Sequence, residues 1–278
     1  MLVNLDAVLT PAKKNGYAVG LFNTTDTDML EAAISAAEEL RSPIIIGTAE
    51  VLLPNGELKL IAPSIIAAAK RASVPVVVHY DHGLTFGRCI EALKLGFSSI
   101  MYDGSAKDYE TNIAETREIV KIAHEFGATV EGEIGHVGQA DTEDNAETDL
   151  YTTPEEAVKY ISDTGVDALA IAIGTAHGAY KKKPKLDFER LSAIHAATEV
   201  PLVLHGGSGL TDDDFKTAAS RGIAKINIFT DLCLAGCRAM TDGLSSGEDY
   251  LTIRNRKVDY IREEVKKKIL LFGSNGKA

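Results

Sequence analysis

Cysteine is scarce in this 278-residue chain: Cys89, Cys233 and Cys237 are the three, with no CxxC pair among them. That excludes a disulfide framework, and reduced thiols point to a cytoplasmic protein. Cys233 and Cys237 lie four apart on an expected helix, a spacing that points to packing rather than to a metal. Positive charge is also short. Lys and Arg number 29 against 40 Asp and Glu, a net charge of −11, and such a surface does not attract nucleic acid or an anionic membrane non-specifically. No apolar run approaches the ~20 residues that a membrane-spanning helix needs. The opening residues, MLVNLDAVLTPAKKNGYAV, show no basic segment followed by an apolar one, so a signal peptide is not expected. Linkers and low-complexity segments are missing too, which leaves one domain over residues 1–278.

What the chain does have is a rhythm. Short, β-branched apolar runs occur at 18–23 (AVGLFN), 43–48 (PIIIGT), 74–80 (VPVVVHY) and 98–104 (SSIMYDG). Four more follow at 128–133 (ATVEGE), 167–174 (DALAIAIG), 200–206 (VPLVLHG) and 223–230 (IAKINIFT). Runs with so few polar residues suit parallel strands buried on both faces. Helical patterns fall between them, such as TDMLEAAISAAEELR and PEEAVKYISDTG, several with Asp or Thr before the first turn and Gly or Pro after the last. Eight βα units in a chain of this length predict an α/β fold, a (β/α)8 TIM barrel. A dinucleotide-binding sheet would show GxGxxG after its first strand, and none is present there. Two segments break the rhythm. EIGHVGQADTEDNAETDLYTT, polar and acidic, is expected to form a mobile loop after the fifth strand. SGEDYLTIRNRKVDYIREEVKKKILLF predicts an additional C-terminal helical segment lying on the barrel or on a neighbouring subunit.

In such a barrel the C-terminal strand ends build the active site. Read in order they offer Asn23, Thr48, Asp81 with His82, Asp103, Glu133, His177, His205 and Asn227. His82, His177 and His205 each precede a glycine, just past the third, sixth and seventh runs. Three neutral imidazoles with a vacant fourth position suit a catalytic zinc ion. Within HYDHG (79–83), His79 falls inside the strand and is expected to be a neutral, hydrogen-bonded core residue, whereas His82 falls past its end. Asp81 is either an orienting group or a proton carrier, roles that position alone barely separates. The glycine-rich LHGGSGL (204–210) can present backbone N–H groups to a phosphate. Asp103 and Glu133 are equally placed to hold a second cation or to cap the next helix.

With these motifs in hand, the chain resembles, from end to end, the class II metal-dependent ketose-bisphosphate aldolases of the fructose- or tagatose-bisphosphate type. The resemblance rests on AEELRSPIIIGT, the DHG of HYDHG, EGEIGHVG, GTAHGAYKKKPKLDFERL, LVLHGGSGL and KINI. It implies reversible cleavage of a ketose 1,6-bisphosphate to dihydroxyacetone phosphate and an aldehyde such as glyceraldehyde 3-phosphate. His82, His177 and His205 would hold Zn2+, a Lewis acid for the ketone and its ene-diolate, and no Schiff-base lysine is needed. Asp81 would carry the proton of the C4 hydroxyl. Gly178, Gly206, Gly207 and Ser208 would bind phosphate, with a monovalent cation such as Na+ or K+ nearby. Asn23, Thr48, Asn227 and Thr230 would complete the substrate site, and Asp103 and Glu133 an alternative metal position. The resemblance also implies a homodimer or homotetramer.

Two departures stand out. Where many relatives carry a Glu-Asp run that exchanges the dihydroxyacetone proton, this chain reads VGQADTEDN, so Asp141 and Glu143 are both candidates, with Glu143 favoured by its reach. Phe229 stands where some fructose-type members have an acid, which predicts a more apolar pocket. Arg254 and Arg256 are the cations available for a second phosphate, acting across a dimer interface. Competing readings are an aldolase for a phosphorylated deoxyketo-acid, a zinc-dependent sugar-phosphate epimerase, a metal-dependent hydrolase and a non-catalytic sugar-phosphate sensor. The sensor would be expected to lose a ligand or Asp81.

Overall fold

Each of the eight apolar runs forms a strand in the computed structural model, which describes residues 1–135, 138–139, 151–178 and 184–278, and only the backbone of 138, 139 and 177. The barrel strands are β1 (Val19–Asn23), β2 (Ile44–Ala49), β3 (Val76–Gly83), β4 (Ser99–Tyr102), β5 (Thr129–Ile134), β6 (Ala168–Ile171), β7 (Leu202–Leu204) and β8 (Ile223–Ile228). All neighbours pair in parallel, and the ring closes through β8–β1 and β3–β4 pairing. The expected (β/α)8 barrel is therefore present. Among the described residues no helix is long and apolar enough to cross a membrane.

Period-two alternation sorts the strand residues into two layers. Ile44, Ile46, Val76 and Val78 face the surrounding helices in the larger apolar cluster, together with Ala33, Ile65 and Ala92. Val19, Leu21, Ile45, Val77, Ala168 and Val203 face inward, at the N-terminal end of the barrel. There the helix Leu5–Asn15 plugs the opening with Leu5, Val8, Leu9 and Ala12. Asn4 caps that helix, and Leu5 N–H donates to Thr129 Oγ1 at 3.1 Å, tying the plug to β5. Higher up, the same inward face changes character to His79, Asp81, Glu131, Glu133, His205, Lys225 and Asn227, all buried. An apolar floor beneath a polar upper layer is what sets the site at the C-terminal mouth.

The C-terminal segment is the helix Tyr250–Phe272, lying on the barrel against helices Thr27–Glu39 and Thr230–Ser245. Three of its cations pair with the first of these and its N-cap: Arg254 with Asp28 and Glu31, Lys257 with Asp26 and Asp28, Lys266 with Glu39. Cys233 packs against the core while Cys237 one turn on is exposed, and neither joins a potential metal group among the described residues.

Candidate active site

An ideal strand cannot turn two consecutive side chains to the same face, yet Asp81 and His82 both line the cavity. The local structure explains how. The register between β3 and β4 shifts between Tyr80 and Gly83, a bulge, and His82 adopts φ 44. A non-glycine residue in the left-handed region carries strain and persists only where its surroundings over-determine it. Here the imidazole is fixed at both nitrogens: Nδ1 lies 2.8 Å from Asp103 Oδ2, and Nε2 lies 2.7 Å from His205 Nδ1. Gly83 makes the turn possible, because a Cβ there would come within 2.7 Å of the Met101 carbonyl oxygen.

His205, at the end of β7, is fully buried, and its Nε2 lies 2.7 Å from Glu131 Oε1. The other Glu131 oxygen pairs with the Lys225 ammonium at 2.7 Å, also without solvent access. Asp81 sits between two amides: Asn23 Nδ2 donates to Oδ2 at 2.8 Å and Asn227 Nδ2 to Oδ1 at 2.9 Å. Burial pushes the Asp81 carboxyl up, but the positive charge of His82 and Lys225 outweighs it and holds the group ionised, well below the usual range. Burial pulls His82 down, yet Asp81, Asp103 and Glu133 lift it to about 9. His205, by contrast, is lowered by burial and by the neighbouring His82.

The donor set has a chemical consequence. A carboxylate only accepts, so the nitrogens facing Asp103 and Glu131 carry N–H. The other two nitrogens, His82 Nε2 and His205 Nδ1, lie 2.7 Å apart, and the raised basicity of His82 lets its Nε2–H donate to His205 Nδ1, with Asn227 Nδ2 3.3 Å from the same nitrogen. A metal ion can take the place of that shared proton, and carboxylate-oriented histidines are the usual supports of a metal. Among the described residues Asp81–His82–His205 and His82–Asp103–Glu133 each bring ligand atoms within 4.8 Å of one another. A third group, His79–Asp81–Glu131, has Lys225 as its cation.

The opposite side of the mouth is built for an anion. Gly206 takes φ 64, and a Cβ there would overlap the Ala176 carbonyl. This close approach sets the backbone of the short strand Ala176–His177 beside His205. The Ser208 hydroxyl accepts from Phe229 N–H and Asp231 N–H at 3.3 Å each. It thereby anchors the turn after β7 to the start of helix Thr230–Ser245 and takes the Asp231 N–H, while the N-cap residue Phe229 supplies no side-chain cap. Backbone N–H groups at a helix start suit a phosphate. Gly178, Gly206, Gly207, Ser208, Asn227 and Thr230 line one cavity of about 450 Å³ together with Asn23, Asp81 and His82.

Residues 3–277 match the class-II fructose-bisphosphate aldolase family. The chain belongs to that family. YdjI of Escherichia coli K12, named an uncharacterized protein, is 39% identical over 279 residues and covered in full, as is this chain. The fructose-bisphosphate aldolase of Staphylococcus aureus Mu50 is 36% identical over 288 residues, covering 100% of this chain and 99% of its own. The crystal structure of the E. coli K12 YdjI aldolase matches with a TM-score of 0.92 at 38% identity, over the whole of both chains. This chain is thus a class II aldolase, a lyase of a metal-dependent class.

Most of the site residues expected of this aldolase converge, and a few do not. His79 is the buried core residue anticipated, its Nδ1 2.7 Å from Ser99 Oγ and its basicity lowered to about 3, first by burial and then by Lys225. Asp103 orients His82, and the capping role goes to Asp108, which accepts from Thr111 N–H. Thr48 does not reach the cavity: it shares the outward face of β2 with Ile44 and Ile46, and Ala49 lines the mouth instead. Arg254 is taken up by Asp28 and Glu31, and Arg256 by Glu248; neither lines the cavity. The His177 side chain, Asp141 and Glu143 lie outside the described residues. Sequence reasoning passed over Glu131 and Lys225, although each stands two residues before a residue it did single out, Glu133 and Asn227, and so on the same strand face.

One prediction follows for Asp103. Asp103→Ala removes the acceptor that fixes His82 Nδ1–H, and metal affinity is expected to fall about 10- to 100-fold. Calorimetric titration of the metal-free protein measures it; an unchanged affinity would show that Asp103 does not orient the ligand.

Proposed function

We propose that the chain is a zinc-dependent aldolase that reversibly cleaves a ketose 1-phosphate between C3 and C4, releasing dihydroxyacetone phosphate and an aldehyde. The observation that carries this is the pair of facing imidazole nitrogens, each backed by its own carboxylate, beside an ionised Asp81. His82 and His205 would hold the metal, with His177 as the third ligand and Asp103 with Glu133 as an alternative position. When bound, the ion acts as a Lewis acid on the ketone and lowers the cost of negative charge at C3.

The chain's own residues do the rest. Asp81, held as a carboxylate by Asn23 and Asn227, accepts the C4 hydroxyl proton in cleavage and returns it in condensation. The turn Gly206–Ser208 and the start of helix Thr230–Ser245 hold the C1 phosphate and so fix which carbon faces Asp81. Asp141 or Glu143 moves the proton at the dihydroxyacetone carbon. Fructose and tagatose 1,6-bisphosphates share the ketose 1-phosphate end required here and differ at C4. Self-association as a homodimer or homotetramer belongs to the same reading, and the exposed Leu244, Tyr250 and Leu251 offer apolar surface for it.

Chelation tests the metal requirement. Exhaustive removal of divalent ions is expected to abolish release of dihydroxyacetone phosphate, and one equivalent of Zn2+ to restore it. Full turnover by the stripped protein would defeat the proposal.

A further inference from the structure

Asp81 and His82 are held by their side chains, and the backbone that presents them has a fastening of its own. It comes from Glu50, the first residue of the 3-10 segment Glu50–Asn55 that follows β2. On that side β2 and β3 stay in register to the end, with Thr48 opposite Tyr80 and Ala49 opposite Asp81. Glu50 therefore comes level with the bulge.

Its carboxylate grips both flanks. Before the bulge, the Tyr80 hydroxyl donates to Oε2 at 3.3 Å. After it, Leu84 N–H at 2.9 Å and Thr85 N–H at 3.3 Å donate to the same oxygen, and the Thr85 hydroxyl donates to Oε1 at 3.0 Å. Only Asp81, His82 and Gly83 lie between these anchors. Both anchors are committed to the task. Tyr80 is fully buried and meets Phe97 edge-on, which fixes the point from which its hydroxyl reaches. Thr85 is the N-cap residue of helix Phe86–Leu95, where a threonine side chain ordinarily accepts from the first turn of its own helix. Here it makes no such cap and turns to Glu50 instead.

The three residues between the anchors need such enforcement. With Asp81 facing inward, regular alternation would send His82 to the helix side of β3, and the left-handed φ of 44 is what turns it back. Straightening the bulge would lengthen the chain between the anchors and draw Leu84 and Thr85 off the Glu50 oxygens. The end of the bulge also sets Asp103, whose N–H donates to the Gly83 carbonyl at 3.0 Å while its carboxylate holds His82. We propose that Glu50 is a positioning residue for the reaction, clamping the bulge so that Asp81 and His82 face the cavity together. It acts through the backbone of Asp81–Gly83. The inference rests on the proposed aldol chemistry, in which His82 holds the metal.

The test compares the full-length wild type with Glu50→Ala, Glu50→Gln and the double variant Tyr80→Phe with Thr85→Val. Each metal-free protein is titrated calorimetrically with Co2+, and the visible spectrum of the loaded protein reports the arrangement of ligands around the ion. Glu50→Ala is expected to lose about tenfold or more in Co2+ affinity and to show an altered spectrum. Its deuterium exchange into dihydroxyacetone phosphate is expected to be slower even at saturating Co2+. In Glu50→Gln the amide oxygen can accept from Tyr80, Leu84 and Thr85 and the amide N–H can donate to the Thr85 hydroxyl. That variant is expected to recover most of the affinity and the wild-type spectrum. The double variant removes two of the hydroxyl donors and is expected to fall between wild type and Glu50→Ala. A Glu50→Ala protein that is less stable in urea yet keeps wild-type affinity and spectrum would overturn the inference, as would a Glu50→Gln protein no better than Glu50→Ala. If Glu50→Ala fails to fold, unchanged affinity and spectrum in the double variant would overturn it instead. A wild type that binds no Co2+ would bring down the aldolase reading itself, and the inference with it.

Discussion

Asp81→Asn is expected to lower both cleavage and condensation by about 10³-fold, within the range set by a positioned acid–base group. The substitution keeps the side-chain shape between Asn23 and Asn227 and removes the carboxylate that accepts from both. A loss of that size in kcat with KM little changed would identify a group acting on the reacting atoms. Deuterium exchange into dihydroxyacetone phosphate reports on the other half of the reaction and is expected to continue in the variant, because in the proposed mechanism Asp81 serves the C4 oxygen alone. If exchange and cleavage fell together, Asp81 would be supporting the metal site instead, and the assignment of its proton would be wrong.

The second large effect lies one layer below. Glu131 and Lys225 form an ion pair without solvent access, and Glu131 also orients His205. Removing one partner of a buried pair leaves an uncompensated charge and costs about 3–5 kcal/mol. Lys225→Met is therefore expected to lose stability of that order in urea unfolding of the metal-free protein. Pairing it with Glu131→Gln should recover much of the loss, since neither charge is then stranded. Metal binding separates support of the ligand from simple packing: the double variant is expected to regain stability and to remain weak in metal affinity, because an uncharged amide orients His205 less strongly than a carboxylate. Recovery of both would reduce the pair to a packing role.

The same pair makes the fold acid-sensitive. Burial pushes the Glu131 carboxyl up, but Lys225 and His205 hold it down to about 2, from an ordinary value of 4.5. A carboxyl depressed in the folded state stabilises above its unfolded value and loses that contribution as pH falls through the folded one. The contribution is thus intact above about pH 4.5 and declines toward pH 2. Wild type should lose this increment on acidification, and the double variant should not.

The barrel was legible because eight apolar runs and the helical patterns between them repeat a single unit, and hydrophobic periodicity is a local signal. The bulge in HYDHG was not. Period two assigns Asp81 and His82 to opposite faces, and only the register shift against β4, a contact between distant segments, turns both inward. Thr48 failed for the complementary reason: β2 carries no bulge, so alternation sends Thr48 outward and Ala49 inward. Glu131 and Lys225 were visible as polar interruptions of apolar strands, but their pairing joins β5 to β8 across the barrel interior and has no trace in linear spacing. The plug formed by Leu5–Asn15 likewise depends on where the chain closes the ring.

Deuterium exchange into dihydroxyacetone phosphate by the Zn2+-loaded chain, followed by proton NMR with and without chelator, tests the central claim most directly, because it needs no knowledge of the aldehyde. A metal-dependent aldolase site predicts loss of half the intensity of the C3 methylene signal, as one of its two protons exchanges, stopped by chelation and restored by Zn2+. No exchange by the loaded protein, or exchange that continues after the metal is stripped, would contradict it.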